Sequence, residues 1–355
     1  MTLVVSNEDV EQVLTLEDCL EVVETAYREL AEGRAVNRAR SHTYLPTRRP
    51  DVAYCLKSME GGVRSLGVMA LRLSSDHVAE RVVAGLRRRD KLPSASGDRY
   101  LGLILLFSTE TLELLAVLHD GVIQKLRVGV TTALALRHLA RTDARILGLL
   151  GSGWQASAHL PALCRMRDFR EVRVYSPTVE HRRRFADEMA RAVGVPVRAV
   201  DGPREVVEGA DCVVATTNAS APVFEGAWIA PGTFVASIVG GDHVRPRREL
   251  DDTTIRRADR IVVNSREHLR AAHQRDLLDP LETGALRWEM IAELADVIAG
   301  RERGRTRPDE ITLFRNNVGL GIQFAAVGAR VLELCHAKGR GREIPSEWFL
   351  QTVHP

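Results

Sequence analysis

Ile146-Leu147-Gly148-Leu149-Leu150-Gly151-Ser152-Gly153-Trp154-Gln155-Ala156 is the stretch on which the reading of the chain turns. Its apolar run, Ile146 to Leu150, has the length and composition of a buried strand and ends on two glycines one residue apart. An apolar helix follows at once, over Ala156 to Met166. In such a strand–turn–helix the first glycine permits a tight turn and the second lets a phosphate approach the backbone. A small third residue, here Ala156, lets the helix pack on the strand, and the helix N-terminus faces the negative charge. A second strand, Val172-Arg173-Val174-Tyr175, begins about 20 residues on, as a βαβ unit requires. These features predict a dinucleotide cofactor with its pyrophosphate over Gly151, Ser152, Gly153, Trp154 and Gln155.

Downstream the texture stays βαβ. A helix over Val179 to Val193 is followed by a strand at Val197 to Val200 and a helix near Pro203 to Gly209. Strands over Cys212 to Thr216, Thr233 to Ile238 and Arg260 to Val263 complete the run. Strands alternating with helices mean a parallel, doubly wound α/β sheet of the Rossmann type. The tip of its second strand discriminates cofactors, because an acid there bonds the adenosine ribose 2′-OH and repels a 2′-phosphate. This tip reads Tyr175-Ser176-Pro177-Thr178, without an acid, and Arg182 and Arg183 follow. The hydroxyls of Ser176 and Thr178 with a guanidinium from Arg182 suit a 2′-phosphate, so the expectation is NAD(P)H with a lean to NADP(H).

Upstream the pattern differs. Leu3-Val4-Val5 reads as a strand, and Leu16 to Glu32 as an amphipathic helix capped by Thr15. Short apolar runs separated by turn residues occupy Thr43 to Val117, with Arg87 to Arg99, containing Pro93 and Gly97, read as a loop. That predicts a second, largely antiparallel α+β domain. A helix over Val128 to Ala140 joins the two domains. Beyond a linker at Arg301 to Pro308, the strand Ile311-Thr312-Leu313-Phe314 and a long helix, Gly319 to His336, return to the first domain.

Composition excludes several classes. A hydrophobic share of 45% with 27% charged residues is that of a globular protein with a real core. With 49 basic against 47 acidic residues the net charge is only +2, which calls for neither nucleic acid nor a membrane surface. The arginine runs Arg87-Arg88-Arg89 and Arg301 to Arg307 read as solvated faces. Cys19, Cys55, Cys164, Cys212 and Cys335 are scattered and odd in number, and read as reduced thiols. His159, His181, His243, His268 and His273 form no spaced ligand set, so no metal is expected. Met1 to Glu8 lacks the basic start and apolar stretch of a signal peptide. No apolar run approaches the about 20 residues of a membrane span, so a cytoplasmic location is expected.

An ordered set of motifs carries a resemblance. Arg127-Val128-Gly129-Val130-Thr131-Thr132-Ala133 precedes the glycine turn, and Ala215-Thr216-Thr217-Asn218 follows it. Gly240-Gly241-Asp242 with Glu249-Leu250, and then Thr312-Leu313-Phe314, complete the set. Over essentially its whole length the chain resembles the ornithine cyclodeaminase/mu-crystallin family. The resemblance implies a Rossmann domain at 127–310 and a substrate-binding and dimerisation domain built from 1–126 and 311–355. It also implies a homodimer, with the N-terminal strands at its interface.

The site residues it implies are these. Arg127 binds the substrate carboxylate, a task for which a guanidinium offers a fixed fork. Arg40 stands on the same substrate side, with Arg38 a competing alignment. Asp242 lies beside the nicotinamide and relays a proton to or from the amino or imino nitrogen. Thr216, Thr217 and Asn218, and Val239 and Gly240, end strands at the cofactor crevice, and Gly319 joins the cofactor residues. One position departs from the pattern: a segment resembling GxKxV reads Gly67-Val68-Met69-Ala70-Leu71-Arg72, with Met69 in the place of the lysine. Arg72 or Lys57 would have to supply the charge, and strand alternation puts Arg72 on the opposite face from Met69.

The function so implied is oxidoreduction at the CH–NH or CH–NH2 group of an amino or imino acid, by an imine reductase or an amino-acid dehydrogenase. A cyclodeaminase-type lyase with tightly bound NAD is an alternative, which Met69 disfavours. A catalytically weak NADPH-dependent binding protein is another.

Overall fold

The computed structural model describes residues 1–83, 86–241 and 247–352. The chain divides into two compact units, the first made of 1–79, 91–127 and 319–355, the second of 80–90 and 128–318. Among the described residues no helix is long and apolar enough to cross a membrane.

The first unit is an α+β layer built on a sheet of β1 (Thr2–Val5), β2 (Ala35–Asn37), β3 (Ser41–Pro46), β4 (Val52–Val63), β5 (Val68–Val83), β6 (Leu86–Leu92), β7 (Leu101–Ser108) and β8 (Leu114–His119), joined by a last strand, Arg342–Ile344, from late in the sequence; the part of β5 and β6 that lies within 80–90 counts with the second unit. All of its residue-resolved pairings are antiparallel except β1 with β8. Two helices cover one face, Leu16–Ala31 and Gly321–Lys338. The first begins where Thr15 and Asp18 form a reciprocal capping box, which satisfies two otherwise orphaned N–H groups. The second crosses β4 so closely that a Cβ on Gly61 would stand 2.3 Å from the Ile322 nitrogen, and one on Gly321 2.0 Å from the Glu60 carbonyl carbon. Only glycine at both positions permits that approach.

The second unit holds β9 (Ile146–Leu150), β10 (Glu171–Tyr175), β11 (Val197–Ala199), β12 (Cys212–Ala215), β13 (Phe234–Ser237), β14 (Arg260–Val263), β15 (Ile291–Glu293) and β16 (Thr312–Arg315). They form one parallel sheet in the order β11-β10-β9-β12-β13-β16-β14-β15. β12, β13 and β16 are buried at every position, as parallel strands covered on both faces must be. The core gathers Leu150, Val213, Val235, Ile261 and Leu313. From β9 the chain winds outward through β10 and β11, then returns to the other side of β9 at β12. The reversal makes the β9–β12 gap the topological switch point, where doubly wound sheets bind their ligands.

The fold class is the one expected, an α/β doubly wound sheet with a second α+β unit. Three boundaries differ. The stretch read as a loop from Arg87 holds all of β6 but its first residue, a charged edge strand whose polarity hides its pairing with β5. Residues 311–318 belong to the dinucleotide-type unit, because β16 fills the place between β13 and β14. Arg301 to Pro308 is no linker between domains, since Arg305 ties it inside that unit by donating to the carbonyls of Leu139 at 2.7 Å and Glu310 at 2.6 Å. The joining helix is Gly121–Leu139, and the division between the units falls within it, after Arg127.

Candidate active site

In the second unit the glycine turn closes β9. Gly151 has φ +104°, a conformation L side chains rarely adopt, and a Cβ there would meet the Thr216 carbonyl oxygen at 2.9 Å. Its N–H donates to the Tyr175 carbonyl at 2.8 Å, so the turn is fastened to the tip of β10. Among the described residues nothing lies within 4 Å of where a Cβ on Gly153 would be, which leaves the open space a pyrophosphate needs. The helix Ala156–Cys164 starts without a side-chain cap, and Trp154 stands exposed before it. The Gln155 side-chain oxygen is buried with no hydrogen-bond partner among the described residues, while its carbonyl accepts from His159 Nδ1 at 2.8 Å. A cradle of backbone at a helix start, an open glycine and an unsatisfied amide fit a dinucleotide.

Ser176 is at the turn as well, its hydroxyl 2.7 Å from that of Ser152. Thr178 precedes the helix Val179–Val193 and makes no side-chain cap bond. Arg182, offered to a 2′-phosphate by the sequence, is instead buried and engaged. It donates to the Ser176 carbonyl at 3.1 Å and to Asp201 at 2.6 Å, with its guanidinium over the Tyr175 ring. The residue that motivated the lean to NADP(H) is therefore already occupied.

The strand ends across the switch point are held by a residue whose part was not legible. Glu249 is fully buried and accepts from the Thr217 N–H and hydroxyl, each at 2.7 Å. It also accepts from the Ser237 hydroxyl at 2.7 Å and from the N–H groups of Ile238 and Val239 at 3.0 Å. One carboxylate thus fixes the tips of β12 and β13 together. Thr216 donates its hydroxyl to the Leu150 carbonyl, tying β12 to β9, and Asn218 donates to Asp90 at 2.9 Å. Gly240 lies against backbone, 2.5 Å from the Asn317 oxygen to a built Cβ, and Val239 is buried, its carbonyl accepting from Arg315 at 2.6 Å. Arg315 also pairs with Asp276. Asp242 lies outside the described residues.

The first unit carries a cationic cluster. Arg127 is 3% exposed, donates to Gln124 at 2.7 Å and Gln323 at 3.1 Å, and lies over the Phe324 ring at 5.1 Å. Arg72 is buried beside the same ring and donates to Asp120 at 2.5 and 2.8 Å. Burial, then the positive charge of Arg72, pushes the Arg127 guanidinium down to about 9; Tyr27 and Asp120 act against the shift, while Arg40 adds to it. Arg40 is thus the residue whose charge reaches Arg127, whereas Arg38 is exposed and pairs with Glu60 at 3.5 Å. A planar carboxylate suits the fork of such a guanidinium.

Strand alternation holds as expected: Arg72 shares the buried face of β5 with Ala70, Ser74 and Asp76, and Met69 is on the other. No bulge is needed, because Arg72 faces the same helix, Gly321–Lys338, that carries Phe324 and Gln323. Lys57, the other candidate, is buried but donates to Asp76 at 2.9 Å. Burial would raise the Asp76 carboxyl, but Lys57 and Lys91 outweigh it and hold it at about 2. Gly319, grouped by sequence with the cofactor residues, stands against Arg127: a Cβ there would lie 2.4 Å from its Nη1.

The whole chain resembles proteins of known kind. A family model, the ornithine cyclodeaminase/mu-crystallin family, matches residues 1–339. A Δ1-pyrroline-2-carboxylate reductase of Bacillus cereus is 27% identical over 344 residues, covering 96% of this chain and 99% of that one. The solved Δ1-pyrroline-2-carboxylate reductase of Thermococcus litoralis, in complex with NADH and L-proline, matches with TM-score 0.82 and 29% identity over 97% of this chain and 100% of its own. An archaeal alanine dehydrogenase dimer with bound NAD matches with TM-score 0.82 and 27% identity, over 97% and 99% of the two chains. With a glycine turn at the switch point of one unit, clustered guanidinium groups in the other and a family match across both, the chain belongs to the ornithine cyclodeaminase/mu-crystallin family.

Proposed function

We propose that this chain is an NAD(P)-dependent oxidoreductase acting on the C–N bond of a small amino or imino acid, in the reductive direction an imine reductase. The observation that carries the reading is the convergence of buried Arg127 and Arg72 on the Phe324 ring in the first unit, with the charge of half-buried Arg40 reaching Arg127, in a chain whose second unit is built for a dinucleotide. When bound, reduced nicotinamide supplies a hydride to the imine carbon. Arg127 takes the α-carboxylate, with Arg72 and Arg40 adding to the field that holds it. Gln124 and Gln323 orient the Arg127 fork, and Phe324 supports its face. Asp242 gives the proton to the nitrogen, so that one hydride and one proton convert C=N to CH–NH. Two of the relatives are named as reductases of a cyclic imino acid, which is the substrate class this reading favours.

The test is a screen of cofactor absorbance with cyclic imino acids, and with α-keto acids plus ammonia or methylamine, against NADH and NADPH separately. Carboxylate-bearing imines should consume cofactor and Asp242→Asn should slow them. No consumption with any combination overturns the proposal, and ammonia release from a diamino acid without net cofactor turnover would favour the lyase. A homodimer is part of the same proposal, supported by the dimer named for the archaeal relative. Light scattering on the purified chain tests it.

A further inference from the structure

We propose that Asp201 makes this chain selective for NAD(H) over NADP(H), by holding Arg182 and by presenting a carboxylate beside the ribose subsite. The inference rests on dinucleotide binding at the glycine turn. A continuous set of contacts leads from that turn to Asp201: Ser152 to Ser176 at 2.7 Å, the Ser176 carbonyl to Arg182 at 3.1 Å, and Arg182 to Asp201 at 2.6 Å. In doubly wound sheets the tip of the second strand is where the adenosine ribose is read. Here that tip carries Ser176 and no acid of its own. The acid arrives instead from beyond β11, the neighbouring strand, through an arginine rooted in the helix Val179–Val193.

The pair is asymmetric in a way that matters for selection. The Arg182 side chain is 7% exposed, with its remaining face on Tyr175, whereas the Asp201 side chain is 89% exposed. The guanidinium is therefore the fixed element and the carboxylate the one that solvent and ligand meet. A ribose 2′-OH is a hydrogen-bond donor to such a carboxylate. A 2′-phosphate would bring a doubly charged group against it and compete with it for the same guanidinium fork. Because Arg182 also donates to the Ser176 carbonyl, moving it toward a phosphate would leave that buried carbonyl without this donor. Arg183, the next residue on that helix, is exposed.

The test is titration of the purified full-length protein with NADH and with NADPH, read by nicotinamide fluorescence, for wild type, Asp201→Asn, Asp201→Ser and the double variant Asp201→Asn with Arg182→Gln. Wild type should bind NADH at least tenfold more tightly than NADPH. Either single variant should tighten NADPH at least tenfold and weaken NADH, because the acceptor for the ribose 2′-OH is lost. The double variant should lose that gain. Wild-type constants within threefold of each other, or an unchanged NADPH to NADH ratio in both single variants, would overturn the proposal while leaving dinucleotide binding intact. Binding of neither nucleotide to wild type would overturn this proposal and the proposed function together.

Discussion

Replacing Gly319 by alanine asks whether Arg127 is where it is for the sake of a carboxylate. The added methyl group would stand 2.4 to 2.7 Å from Nη1, Nη2 and Cζ of the guanidinium, so something must move. The guanidinium is the far end of a flexible side chain and yields more easily than backbone does. The fold should therefore lose little, with the melting temperature falling by no more than roughly 2–4 °C per kcal/mol for a chain of this size. Function should lose more. A hydrogen bond to a charged group contributes about 1.5–3 kcal/mol, which corresponds to roughly 10- to 100-fold in kcat/KM when the fork no longer meets the carboxylate. The assay compares a carboxylated cyclic imine with the same ring lacking its carboxylate, under saturating NADH, in wild type and Gly319→Ala. The loss should be confined to the carboxylated substrate, and the NADH dissociation constant should be unchanged. An equal loss on both substrates, or none on either, would refute the assignment of Arg127.

Further outcomes follow from other contacts. Gly151→Ala places a Cβ 2.9 Å from a backbone oxygen at φ +104°, which should cost about 1–3 kcal/mol of stability and weaken NADH binding at least tenfold; a thermal melt with and without NADH reads both. Glu249→Gln turns part of a buried acceptor into a donor facing N–H and hydroxyl groups. It should lower stability by about 2–4 kcal/mol in a urea titration, and an unchanged midpoint would show that the strand tips hold without it. Asp76 is depressed from 3.8 to about 2 in the fold, so its stabilising contribution is complete above about pH 4 and disappears as pH falls toward 2. That contribution is about 2 kcal/mol. Urea midpoints measured from pH 5 down should fall less steeply in Asp76→Asn than in wild type, and parallel curves would contradict the ion-pair account.

The second unit was legible from sequence because its signals are local. The helix Val179–Val193 and the strand Arg260–Val263 were read to the residue, and the glycine turn was placed with them. What escaped depends on partners distant in sequence. Strand β6 carries Arg87-Arg88-Arg89-Asp90-Lys91, a composition shared by edge strands and solvated loops, and only its pairing with β5 tells them apart. Strand β16 reads correctly as a strand, but no local pattern says that it inserts between β13 and β14. The parity of β5 was also readable, and it placed Arg72 opposite Met69; what it left open was which face of β5 met the helix carrying Phe324. Glu249 carried a motif without a mechanism, because its donors come from two strands 12 and 32 residues away. Arg182 was assigned to a ligand because Asp201, nineteen residues on, had no visible link to it.

The insertion of β16 bears on how the molecule is made. A ribosome emits β13 and β14 with a gap between them that stays open until residues 312–315 appear, and the first unit meanwhile lacks the helix Gly321–Lys338 and its closing strand. Neither unit is complete before residues 312–344 have emerged, so the two cannot mature one after the other during synthesis. Nascent chains arrested before Thr312 should remain protease-sensitive throughout, and a resistant core in them would show otherwise. Truncation anywhere before Thr312 therefore leaves both units unfinished at once, rather than one whole and one lost.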